Sequence, residues 1–503
     1  MLFDQADYTP LITSEKIRIV FLFQAPSFWA SWESFYYACL NDERFNVKLV
    51  LYNKLTFSQA QMQGAEEFLK ALQLEYILFD DFDMEIYKAH VVVIQSPYDL
   101  THRIDDALSW RFRKLGCRVV YIPYGIEITD DGNKDRIAHF HSFVVLNAWR
   151  IFVISERMEK LYKEACPNRN AVKVSGHPKF DAYANRAVKK LSPDLENAIA
   201  GRKVVLWKMH FPKSDDKGIL KTPDVSEYIK FAKNLSKYKD LFFIFMPHPL
   251  MLAKNKELTD EQQVMSDNIM SAVSLNDNAY IYLDADYRPA LIRADAIIID
   301  RSAIMIEAGI TGKPIIYMHS KNNPETIAEA FSPLVESYYK GTNADDMEHF
   351  VQQFIQGIDD NKEFRKKMFR EVIPYADGKC AKRIADSVIT DIISESLPRK
   401  LRIAAFGMGI TFDEYWMKAV SKKSDIELVA IADNKSFLWG TQHNGVPVIE
   451  PVKLRDIDFD AVVIFSEKFY REIYRQLVFD INIDEDKILR LDKFLIEILY
   501  ERT

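Results

Sequence analysis

Short, continuous apolar runs alternate with longer amphipathic segments along this chain. IRIVFLF (17–23), VKLVLY (47–52), VVVIQS (91–96), CRVVYIPYG (117–125), WRIFVIS (149–155) and AVKVSG (171–176) are apolar at nearly every position. A strand apolar on both faces is buried on both, and the segments between, such as 58–74, have helical periodicity. Strand–helix alternation of this kind predicts a parallel sheet covered on both sides. The aromatic stretch FLFQAPSFWASWESFYYACL (21–40) is broken by Gln24, Pro26 and Glu33. It is expected to form a strand, a loop and a core-facing helix, the alternative being an aromatic patch facing a membrane or an acceptor.

A second series begins at KVVLWKMH (203–210) and continues through LFFIFMPHP (241–249), AYIYLD (279–284), AIIID (296–300) and PIIYMHS (314–320). The stretch 345–394 reads as helices without a strand. A third series follows Pro398: KLRIAAFGMG (400–409), IELVAIADN (426–434) and AVVIFSE (461–467). Boundaries near 185–202 and 395–400 divide the chain into 1–190, 200–395 and 399–503. The fold class is α/β, with two Rossmann-like domains followed by a smaller one. Such sheets bind ligands beyond the carboxyl ends of their strands, so the residues there are the candidates for chemistry.

Composition narrows the partners. The 503 residues are 48% hydrophobic and 28% charged, enough apolar material for three cores. A net charge of −7 does not suit a nucleic-acid coat. The four cysteines, Cys39, Cys117, Cys166 and Cys380, are scattered, which argues against a zinc or disulfide framework and fits a reducing cytosol. The acidic, polar start is no signal peptide, and no run reaches the roughly 18 apolar residues of a membrane span. A cytoplasmic protein is expected.

The most informative segment is AIIIDRSAIMIEAG (296–309). A buried strand ends at Asp300, Arg301 and Ser302 turn the chain, and a helix follows with Ser302 as its expected N-cap. The N–H groups of Ser302, Ala303 and Ile304 are expected to face the crevice. With the helix dipole they would hold a pyrophosphate without a glycine-rich loop. Glu307, a little over one turn in, is placed to accept from a ribose. His248 follows a buried strand and is held by Pro249, a position from which it could meet a phosphate or the reacting centre. His210 ends another strand. Lys208, two residues earlier, would share its face, and it and Arg288 are candidate cations for a leaving diphosphate.

In this order, HP after a strand, LIRADAIIIDRSAIMIE, GKPIIY and DGKCAKRIADSVI resemble the CDP-glycerol glycerophosphotransferase family of teichoic-acid and capsule polymerases. SGHPKFDAY, through Gly176, Pro178 and Asp181, adds to the resemblance, which covers about residues 115–392. It implies the GT-B fold, two Rossmann-like domains facing a cleft, with an inverting mechanism and no bound metal. The donor would be a CDP- or UDP-linked substrate, with no further cofactor. The acceptor would be a polymer or a lipid-linked glycan, reached by peripheral contact with the inner face of the plasma membrane. Arg301 and Ala303 stand where the family has Tyr and Ser. The family's His-Gly pair, whose histidine is its presumed general base, is here Tyr124-Gly125. Tyrosine is a poor base, with an ordinary pKa of about 10, so His139 and His141 of HFH are weighed as substitutes, with His210, expected to face the interdomain cleft, as the other candidate. An isolated His-x-His without a third ligand is a weak metal signal.

In the third domain, Gly407 and Gly409 begin a dinucleotide fingerprint, but Phe412 stands where its third glycine would be. Asp433 ends the next strand, where it could meet a ribose. Docking or oligomerisation, nucleotide-sugar binding and dehydrogenation are its three readings. For the whole chain the alternatives to alditol-phosphate transfer are glycosyl transfer in capsule or O-antigen synthesis, a non-catalytic nucleotide-sugar-binding scaffold, and nucleotide-sugar epimerisation.

Overall fold

The apolar runs become strands in a computed structural model, which describes residues 8–12, 15–52, 54, 64–128, 139–166, 169–212, 219–252, 258–396, 400–423 and 426–500. Of the segment expected to be helical over 58–74, Ala65–Ala71 is helix, and residues 58–63 lie outside the described residues. Two compact units are present, one within residues 8–390 and one within residues 391–500.

The larger unit holds two sheets. The first contains β1 (Ile17–Phe23), β2 (Phe45–Leu51), β3 (Ile77–Leu78), β4 (Val91–Ile94), β5 (Arg118–Tyr121), β6 (Arg150–Val153) and β7 (Val172–Val174). All pairings are parallel and the order is 3-2-1-4-5-6-7. The second contains β8 (Lys203–Met209), β9 (Leu241–Pro247), β10 (Ala279–Ile281), β11 (Ala296–Ile299), β12 (Ile315–Met318) and β13 (Tyr339–Gly341). Its order is 10-9-8-11-12-13, again parallel. Strand order therefore reverses between β1 and β4, and between β8 and β11, where a doubly wound sheet opens a crevice.

The 21–40 stretch takes the expected form. β1 leads into a 3-10 turn (Pro26–Ser31) and a helix (Glu33–Leu40), with Trp29 and Trp32 buried. Ridges of apolar side chains from both sheets merge into one core that extends from Val20 to Ile373. The helix Cys380–Ser396 follows the second sheet in sequence, but its start is fixed by the first half. Asp181 accepts from the N–H groups of Cys380 (3.0 Å) and Ala381 (2.8 Å), and Arg383 Nε donates to Ser175 O at 2.7 Å. Two otherwise orphaned N–H groups at the helix start are satisfied in this way.

In the smaller unit, β14 (Leu401–Phe406), β15 (Ile426–Ala432), β16 (Gln442–His443), β17 (Val446–Ile449), β18 (Ala461–Ile464) and β19 (Ile488–Arg490) are ordered 16-17-15-14-18-19. The β16–β17 pair is antiparallel and the rest are parallel.

Candidate active site

Three strands of the second sheet deliver their next residues to one place. β8 carries Lys208 and leads to His210, β9 leads to His248, and β11 leads to Asp300 and Arg301. Asp300 is fully buried. It accepts from His210 N at 2.8 Å and from Tyr228 OH at 3.1 Å, bracing the end of β8 against β11. Burial pushes its carboxyl up, while Lys208 and the His210 N–H pull it down. Lys208 is 4% exposed. Its ammonium donates to the carbonyls of Met209 (3.1 Å) and Met246 (3.4 Å), two of its three possible bonds. Burial lowers its pKa and the Asp300 charge opposes that shift.

The two histidine rings lie 4.6 Å apart between centroids. His210 Nδ1 is 2.9 Å from Phe211 O, an atom that only accepts, so the proton is on Nδ1 and Nε2 is a lone-pair acceptor. His248 Nδ1 accepts from Leu250 N at 3.2 Å, so in the neutral ring the proton is on Nε2. Burial is the first cause that keeps both rings below the ordinary histidine value. The second is the His248 charge for His210 and Lys208 for His248, and Arg301 adds to both. The pair is thus a donor and an acceptor side by side, both uncharged at neutral pH.

The turn after β11 departs from the expected cradle. Its helix has five residues, Ile304–Ala308, with Ala303 rather than Ser302 at the N-cap position. The Ser302 hydroxyl accepts from Ile304 N at 3.3 Å, so that N–H is already taken, leaving those of Ser302 and Ala303 for a ligand. A helix of five residues aligns few peptide dipoles, and its field is correspondingly small. Arg301 forms an ion pair with buried Glu325.

Glu307 also departs from expectation. It is 0% exposed, and its carboxylate accepts from Lys179 Nζ (3.1 Å), Tyr183 OH (3.1 Å) and Tyr287 OH (2.7 and 2.9 Å). A ribose would have to displace these partners. Arg288 is likewise engaged, donating to Glu33 at 2.5 Å and to Asp286 at 2.7 Å. Glu307, expected at a ribose, and Arg288, expected at a diphosphate, instead join the two halves of the unit. The sequence reading missed Lys179, Tyr183 and Tyr287. The one signal was a lysine amid the small and apolar residues of SGHPKFDAY.

On the first sheet, Tyr124 stacks on Phe28 at 4.1 Å. Burial, followed by the charge and hydrogen bond of Tyr98, drives its phenol above the ordinary value, which makes it a poorer proton acceptor still. Gly125 has no left-handed backbone, and a Cβ there would meet nothing within 4 Å. His139 lies 6.3 Å from the Tyr98 ring, and His141 is exposed. Among the described residues, no group of three or more His, Cys, Asp or Glu side chains is placed to hold a metal ion. No helix there is long and apolar enough to cross a membrane.

In the smaller unit, Asp433 accepts from Met408 N (2.8 Å) and Lys435 N (2.9 Å). It closes the turn after β14 instead of standing free for a ribose.

Two family models match parts of the chain. One, described as UDP-N-acetylglucosamine 2-epimerase, matches residues 144–389, and one described as C2185-like, N-terminal, matches residues 399–489. No curated protein matches. Among solved structures, the UDP complex of S. aureus MnaA is 15% identical over 76% of this chain and 98% of its own, with a TM-score of 0.53. UDP-GlcNAc 2-epimerase from Neisseria meningitidis bound to UDP-GlcNAc is 14% identical over 74% of this chain and 100% of its own, with a TM-score of 0.51. The wall teichoic acid polymerase TagF aligns at 12% identity over 75% of this chain and 90% of its own, with a TM-score of 0.49. The larger unit has a GT-B-like fold.

Proposed function

We propose that the chain transfers a group from a nucleotide-diphosphate donor to a hydroxyl of a cell-surface polymer or lipid-linked glycan. The observation that carries this reading is the meeting of Lys208, His210 and His248 at the switch point of the second sheet, braced by Asp300. A diphosphate there would meet a buried ammonium with one N–H to spare, the Nε2–H of His248, and the N–H groups of Ser302 and Ala303. These groups are fixed before the donor arrives, so they stabilise a leaving phosphate without reorganising. The acceptor attacks from the side of the first sheet in a single displacement, with no covalent intermediate. The ordered blocks shared with the CDP-glycerol glycerophosphotransferase family favour an alditol-phosphate group, and the fold shared with enzymes of UDP-sugars keeps a sugar in play. For a lipid-linked acceptor the protein would work at the inner face of the membrane.

A thermal-shift panel of CDP, UDP, CDP-glycerol and UDP-N-acetylglucosamine tests donor binding, since a ligand selective for the folded state raises the melting temperature. Mass spectrometry of the products then identifies the transferred group. Absence of any shift would remove the donor assignment.

The match of residues 144–389 to an epimerase family favours a second reading, epimerisation of a nucleotide sugar. It predicts turnover of UDP-N-acetylglucosamine with no acceptor present, whereas transfer predicts acceptor-dependent turnover.

A further inference from the structure

Transfer to a hydroxyl needs a proton acceptor on the acceptor side, away from the donor-side His210 Nε2, and the raised phenol of Tyr124 is poorly suited to that role. Among the described residues at the switch point of the first sheet, most polar side chains are engaged with one another, and the His102 ring is tied to Ser96 Oγ at 2.7 Å. Gln24 Nε2 donates to His102 O at 2.9 Å, and Arg103 donates to Gln24 Oε1 at 2.9 Å and to Asp99 at 2.6 Å. The second oxygen of Asp99 accepts from Ser109 N and Oγ.

The next strand end is different. Glu127 stands two residues past Gly125, in a cavity at the carboxyl ends of β5, β6 and β7 whose walls include Pro123, Ile154, Met158 and His177. Tyr162 OH donates to its Oε1 at 2.7 Å. Among the described residues this is its one side-chain hydrogen bond. Tyr121 and Tyr124 from its own strand end, Tyr162 from the helix Glu156–Ala165, His139, His177 and Lys179 are the titratable groups around it among the described residues. Burial raises its pKa most strongly, and the His139 charge is the first opposing influence. Lys179 ties this corner to the donor half through Glu307. Beside it, the Tyr124 ring stacked on Phe28 forms an aromatic wall, and aromatic faces carry partial negative charge that attracts C–H groups.

We infer that Glu127 is the general base of an acceptor subsite on the first half of the unit, and that the subsite takes a neutral polyhydroxyl end, a sugar or an alditol. The inference rests on the transfer reading. The acceptor O–H gives its proton to the Glu127 carboxylate, and its oxygen forms the new bond to the transferred group. The bond from that group to the nucleotide breaks, and its electron pair leaves on the phosphate oxygen.

The test compares wild type, Glu127→Gln and Glu127→Asp with UDP-N-acetylglucosamine and CDP-glycerol as donors. Glycerol and N-acetylglucosamine serve as hydroxyl acceptors, and azide as a nucleophile with no proton to lose. Glu127→Gln should lower hydroxyl transfer by roughly 10²–10⁴-fold. Transfer to azide, nucleotide affinity and thermal unfolding should stay at wild-type levels, and Glu127→Asp should keep part of the hydroxyl activity. The acid limb of the wild-type pH profile should lie above the ordinary carboxylate range and vanish in Glu127→Gln. Unimpaired hydroxyl transfer in Glu127→Gln, or azide transfer that falls as far as hydroxyl transfer, overturns the Glu127 assignment and leaves the transfer reading standing. Wild type that moves neither group to any acceptor overturns the transfer reading, and this inference with it.

Discussion

The second and third sheets each brace their first strand with an aspartate from the end of a neighbouring strand, across the switch point in the second sheet and on its other side in the third. Asp300 follows β11 and accepts the N–H just beyond neighbouring β8, and Asp433 follows β15 and accepts the N–H just beyond neighbouring β14. Both carboxylates are buried. Their surroundings differ. Around Asp300 stand Lys208, Arg301 and the His210–His248 pair. Around Asp433 the further partners are a backbone N–H and the Trp439 indole, which donates to its carbonyl at 2.7 Å. A strand-end aspartate thus marks where a doubly wound sheet is tied together. The titratable groups gathered beside it mark where chemistry can be done.

Substitutions on each side should separate these roles. The largest effect is expected from His248→Ala, which removes the Nε2–H donor. Transfer should fall by about tenfold or more, towards 10⁴-fold, with the melting temperature little changed. Unchanged turnover would cancel the contrast between the two edges. Next is Lys179→Met, which leaves Glu307 buried without its cation. Denaturant unfolding should show a loss of about 3–5 kcal/mol. Tyr287→Phe removes a neutral donor to the same carboxylate and should cost about 1.5–3 kcal/mol. If calorimetry on this folded variant finds nucleotide affinity weakened many-fold, Glu307 has a ligand role beyond its internal one.

Two smaller effects concern protons. The ring resonances of His210 and His248 should show no titration near 6.5, the ordinary histidine value, because burial holds both pKa values below it. A midpoint near 6.5 in NMR would mean charged rings and a different tautomer pair. Nucleotide diphosphate binding should also draw protons onto Lys208, whose pKa burial has lowered and an arriving anion raises. Calorimetry in buffers of different ionisation enthalpy should detect net uptake, growing as pH rises. The smallest effect belongs to Asp433→Asn, a local loss of about 1 kcal/mol with nucleotide affinity of the chain unchanged.

Much of this architecture was legible in the residues. Runs such as VVVIQS and AIIID are apolar throughout because parallel strands are buried on both faces, and each became a strand. The gathering of Lys208, His210, His248 and Asp300 follows from strand ends alone. What pattern could not supply was the partner of each polar side chain. Glu307 meets Lys179 across 128 residues, and Arg288 meets Glu33 across 255. Local spacing places a carboxylate on a helix but does not say what closes over it. Local pattern also left open the length of this helix, which is five residues followed by a 3-10 turn at Gly309–Thr311. Glu127 was overlooked because one glutamate after a strand has no distinguishing neighbour in sequence. Tyr162, which singles it out, lies 35 residues away.

The capping of Cys380 and Ala381 by Asp181 bears on how the polypeptide could be divided. A gene cut within 185–202 would yield an amino-terminal fragment whose Asp181 has lost the helix it caps, and a carboxyl-terminal fragment that begins with β8 and carries that helix uncapped before β14. Neither piece is a complete folding unit. Co-expressed, the two fragments should complement one another through the returning helix, and deleting that helix from the second should abolish their reassembly.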